Sequence, residues 1–174
     1  MFYTRGTSRG HEPFWARGSR MYIALKIIHV AAAVIFLGNL VTGILWKLHG
    51  DQTKDPVIIR HTLSGLIRAD RWFTIPGVVL LLIGGFGAAV VGGLPLLRTR
   101  WILGGIILFT ISGIAYTRQV VPLQQKMLAV ARSGAETGKF EWEEYRALSR
   151  RWNVWGAIAL LTPVLAMIGM IAKP

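Results

Sequence analysis

Apolar residues in this chain come in four long blocks separated by polar stretches. The first, Met21–Trp46, reads MYIALKIIHVAAAVIFLGNLVTGILW, and the others are Trp72–Leu94, Trp101–Val121 and Trp152–Ala172. At 1.5 Å rise per residue, a helix of each block covers a hydrocarbon core of about 30 Å. The pattern therefore predicts four membrane-spanning helices at about 21–46, 72–94, 101–121 and 152–172. The stretches between them are also patterned. Over residues 56–71 (PVIIRHTLSGLIRADR), Ile59, Leu63, Leu66 and Ile67 share one helical face. Pro56 suits a first turn, so a helix leads into the second span. Leu123–Arg132 is likewise amphipathic, SGAETG (133–138) reads as a turn or break, and Glu141–Arg151 starts the last helix with a solvated charged face. The expected fold is all-α: a polytopic four-transmembrane-helix bundle with amphipathic interfacial helices in its two longer loops. Residues 1–20 form a basic tail, and 21–174 form one domain.

Composition agrees with the pattern. Of 174 residues 53% are hydrophobic and 16% charged, which is the balance of a membrane protein. Trp46, Trp72, Trp101, Trp152 and Trp155 fall at block ends, where amphipathic rings form interfacial belts. The formal net charge of +12 would suggest nucleic acid in a soluble protein. Here the basic residues fill short extramembranous segments, so the expected partners are a bilayer and its anionic lipids, with no nucleic acid. We call the face with the N-terminus, the 94–100 turn and the C-terminus side A, and the face with residues 47–71 and 122–151 side B. Lys and Arg are denser on side B, which favours side B cytoplasmic and the N-terminus outside. Cysteine is absent, excluding disulfides, iron–sulfur ligation and thiol catalysis.

The first block carries the most informative side chain, His29. Ionisable groups inside a membrane are costly and mark functional sites. Lys26, one turn earlier, can snorkel to the interface, whereas His29 is deeper and needs a partner. His49 and His61 belong to side B, about 25 Å away along a helix, so a bis-histidine site is not supported, and no zinc or di-metal spacing occurs. The last helix returns to side A and brings Met167 and Met170 near the depth of His29. A His/Met pair suits b-type haem iron; ordinary packing is the competing reading. His11 on the tail is a further candidate ligand. Gly84, Gly85 and Gly87 in the second span, and Gly104 and Gly105 in the third, either let helices approach closely or leave a flat slot beside His29. Asn39 and Thr42 are expected to hydrogen-bond between helices, Thr74 and Pro76-Gly77 predict a kink, and Asp70 is expected to pair with Arg68 or Arg71. Neither Ser64 nor Ser112 has a histidine at nucleophile–base spacing.

Several strings together carry a resemblance: KIIHVAAAVIFLGNLVTGILWK, RADRWFTIPGVVLLLIGG, VVPLQQK and RRWNVWGAIALLTPVLAMIGMIAKP. Over residues 21–174 the chain resembles a family of bacterial four-helix integral membrane proteins without an assigned function. It is more distantly similar to the HemJ-type protoporphyrinogen oxidase superfamily through His29 with Gly38, Pro76, and Asn153 with Lys173-Pro174. That similarity implies porphyrin or b-type haem handling, with His29 as iron ligand, in a bacterial inner membrane. HemJ-type proteins carry basic or histidine residues where this chain has Gly104, Gly105 and Tyr116. Two functions follow. One is a redox or haem-handling protein that binds haem b or another tetrapyrrole through His29, with Met167, Met170, Gly84, Gly85 and Gly104 around it. The other is an accessory or scaffold subunit of a larger membrane complex, or a homo-oligomer, without a cofactor. Whether the protein is an enzyme stays open.

Overall fold

A computed structural model describes residues 14–173; His11, Arg5, Arg9 and Pro174 lie outside the described residues. Among the described residues six α-helices form four rods. Helix α1 spans Phe14–Gln52, α2 Pro56–Ala69, α3 Ile75–Val91, α4 Arg100–Ala115, α5 Val121–Thr137 and α6 Trp142–Ala172. A π-helical turn, Asp70–Thr74, fuses α2 to α3, and a second, Tyr116–Val120, fuses α4 to α5. Each of the four rods is long and apolar enough to cross a membrane. The first and third rods outrun their apolar blocks at both ends, the second and fourth at the side B end. Residues 14–20, grouped above with the tail, already belong to α1, and the SGAETG stretch is helical up to Thr137. The chain breaks instead at Gly138, which caps α5 at φ 72°, a left-handed conformation that glycine adopts without a Cβ clash.

Proline explains the π turns. Pro76 and Pro122 each stand two residues after one, in the strings DRWFT-I-P and YTRQV-V-P. Proline lacks the N–H that an α-helix needs and crowds the carbonyl four residues back. Widening the preceding turn, so that Ile75 N–H reaches Asp70 O and Val121 N–H reaches Tyr116 O, relieves that crowding and lets both rods continue. The expected kink at Pro76 is thus taken up one turn earlier. Pro163 inside α6 is handled differently. It leaves the Ala159 carbonyl without its intrahelical donor, and the Ser112 hydroxyl of α4 donates to that oxygen at 2.7 Å.

The two halves of the bundle are built differently. On side B, α2 and α5 pack on each other and on α1 and α6, burying Ile59, Leu63, Leu66, Leu123, Met127, Tyr145 and Trp152. This is the core of a four-helix cap, made possible by the amphipathic faces read from the sequence. Towards side A the helices pair off. Helix α3 packs tightly on α1 and α4 on α6, while α3 does not pack on α4. Large apolar side chains there, among them Val34, Val90, Leu165 and Ile168, face outward, as lipid contact requires.

Candidate functional site

Where the two pairs diverge on side A they enclose a cleft of about 300 Å³. One wall comes from α1 and α3 through His29, Leu81, Gly85 and Ala89; the other comes from α4 and α6 through Ile102, Gly105, Phe109 and Met170. Phe36 of α1 meets Phe109 of α4 edge-on, with ring centroids 5.6 Å apart, and bridges the pairs at the inner end. Two cations line the cleft nearer its membrane-surface end. Lys26 lies over the Tyr22 ring at 5.3 Å and Lys173 over the Trp101 ring at 5.6 Å.

His29 is held on its wall by one hydrogen bond, from Nδ1 to the Leu81 carbonyl at 2.8 Å. An imidazole whose Nδ1 donates to a backbone carbonyl has a fixed tautomer and presents Nε2 as an acceptor. Gly85 makes the contact sterically feasible, since a Cβ there would lie 2.8 Å from Nδ1. The sequence candidates then separate. His29, Gly85 and Met170 line the cleft, and Met170 lies against Gly105, which lines it too. Gly84 does not line it: a Cβ there would come within 2.7 Å of the His29 backbone nitrogen, so this glycine serves the α1–α3 crossing. Gly104 and Met167 are not among the lining residues either; Met167 is 39% exposed on the outer surface of α6. One helical turn separates Met167 from Met170, yet only the latter faces the cleft. His49 and His61 are exposed on side B, remote from it. No cluster of three or more His, Asp or Glu occurs among the described residues.

The sequence reading missed two buried polar networks. The first sits in the side B cap around Lys47, whose side chain is wholly buried. Its ammonium pairs with Asp51 at 2.7 Å, donates to Asn153 Oδ1 at 2.9 Å and to the Ser149 hydroxyl, and lies over the Trp152 ring at 5.1 Å. Asp51 in turn accepts from Tyr145 and Ser149. All three N–H donors of Lys47 are used, which is what permits its burial. The second network surrounds Asp70, at the start of the first π turn. Rather than pairing with Arg68 or Arg71, its carboxylate is buried and accepts from Asn39 at 3.1 Å, Thr74 at 2.9 Å and Gln124 at 3.1 Å. Asp70 continues the buried face of α2, standing on the same helical stripe as Ile59, Leu63 and Leu66, so its inward position follows from the regular helical period. Asn39 does hydrogen-bond between helices as expected, reaching Thr74 as well at 2.8 Å.

Residues 23–174 match the model of a family described as predicted integral membrane proteins, DUF2269. The chain belongs to this family. No curated protein and no solved structure matches it. Membership agrees with the four apolar rods and makes the chain a multi-pass membrane protein. The family description assigns no activity, so function has to be argued from the cleft and the networks.

Proposed function

We propose that this DUF2269 protein binds an anionic tetrapyrrole, b-type haem in the first instance, in the side A cleft, in a redox or haem-handling role. The observation that carries the proposal is His29: a histidine in the wall of an apolar cleft, its Nδ1 engaged by the Leu81 carbonyl. That arrangement is the outer-shell support typical of an iron-ligating imidazole. The donor set fits the group. His29 Nε2 and the Met170 thioether would hold the iron, Gly85 and Gly105 make room for those two side chains against their helices, and Lys26 and Lys173 would suit carboxylate substituents near the membrane surface. When bound, such a group would supply one-electron chemistry. The chain's own part would be to orient the imidazole through Leu81, exclude water with apolar walls and neutralise the ligand's acidic edge. We extend the proposal to a HemJ-like role in a bacterial inner membrane with side B cytoplasmic.

A second reading is favoured by the same hydrogen bond. His29 is already satisfied by Leu81, so it could be a packing residue in a cofactor-free accessory subunit. Titration of the purified protein with haemin separates the two. Saturable binding with a Soret band, weakened at least tenfold by His29→Ala and by Gly85→Val, supports the first. Binding that both variants leave unchanged contradicts it.

A further inference from the structure

Between the two buried networks lies a separate small cavity of about 20 Å³. It is lined by Asp70, Asn39 and Gln124 of the Asp70 network, by Tyr116, and by Trp152 and Gly156 of α6. Trp152 is 3% exposed, and its indole N–H has no acceptor, the one buried side-chain polar atom so placed among the described residues. A buried donor left in this state costs about 1–3 kcal/mol, and the cavity that Trp152 lines offers space for an acceptor. The opposite demand comes from Asp70. Its carboxylate is buried, none of the ion pairs among the described residues involves it, and its partners are neutral amides and hydroxyls. The titratable side chain facing it across the π turns is Tyr116.

An occupant must therefore accept from an indole and donate to a carboxylate. A bare cation meets only the second demand and a halide only the first. The volume is that of one water, which requires roughly 10–15 Å³ and two to four polar partners. We propose that this cavity is a binding site for a single water molecule, which accepts from the Trp152 N–H and donates to Asp70. Both π turns border it, with Asp70 and Tyr116 as their first residues, and such turns recur at functional positions. Trp152 lies between the two networks, because its ring face covers Lys47 while the residue also lines the Asp70 cavity. A water bound there joins α1, the first π turn, α5 and α6 in one hydrogen-bonded unit. It also adds to the Thr74 and Tyr116 hydroxyls a further partner of Asp70 able to exchange protons.

The test is magnetic resonance of the full chain in lipid nanodiscs with 15N-labelled tryptophan, Trp152 being assigned by its loss in Trp152→Phe. The expected result is cross-relaxation between the Trp152 indole proton and a long-lived water. Asp70→Asn, which keeps the shape, should shift the Trp152 resonance through the shared water. Absence of the water signal in the parent protein overturns the proposal. So does a Trp152 resonance unmoved by Asp70→Asn.

Discussion

At the scale of single residues, burial sorts the charged groups in a way that their type does not. Lys26 and Lys47 both follow an aromatic or apolar run on α1. One is exposed beside the side A cleft, and the other is sealed among Asp51, Ser149, Asn153 and Trp152. The sequence places Lys47 just beyond Trp46, where a basic interfacial residue is ordinary. Its burial became visible only when α6 was laid against α1. Breaking a buried pair from one side costs about 3–5 kcal/mol, because the other charge stays behind. Lys47→Met is therefore expected to lower the thermal unfolding midpoint in detergent by many degrees. Lys47→Met with Asp51→Asn, which removes both charges, should recover a large part of that loss. Equal midpoints for the single and double variants would show that the pair is not coupled.

Among the elements, the apolar blocks and the amphipathic faces of α2 and α5 were legible because hydrophobic period and helix period coincide. What escaped is governed by which helix covers which face. Asp70 stands in sequence between two arginines, yet it shares the face of Ile59, Leu63 and Leu66 that packs towards Gln124, and Met167 and Met170 look equivalent until α6 packs on Gly105. The Pro163–Ala159–Ser112 arrangement gives a test of how these helices tolerate proline. Ser112→Ala should destabilise the parent by about 1–2 kcal/mol by stripping the Ala159 carbonyl. In a Pro163→Ala background the backbone N–H returns, and the same change should cost clearly less. A double-mutant cycle of unfolding free energies that is purely additive would contradict this account. At the α1–α3 crossing, Gly84→Val should separate the helices at a cost of about 1–3 kcal/mol or more, measured by the same unfolding assay.

For the whole molecule, a solid cap on side B supports a bundle that opens into two helix pairs on side A. Four spans put the Leu94–Arg100 turn and the α5–α6 turn on opposite faces of the membrane. Because the chain has no cysteine, single substitutions Leu97→Cys and Lys139→Cys can report this directly. An impermeant maleimide is expected to label one in sealed vesicles and the other only in inverted ones, with Lys139→Cys on the cytoplasmic face. Labelling of both from the same face would contradict a four-span topology. The same division of labour explains how far the candidate site could be read from sequence. His29, Gly85 and Met170 were found from depth and residue type. The cleft they line comes from the divergence of α3 and α4, a property of the packing of four helices and of no single segment. The claim that the cleft holds a tetrapyrrole is tested most directly by a reduced-minus-oxidised visible spectrum of the protein purified from its own membrane, beside its His29→Ala variant. The account predicts haem bands in the parent that are lost or displaced in the variant; a parent spectrum without them, or bands identical in both, would contradict it.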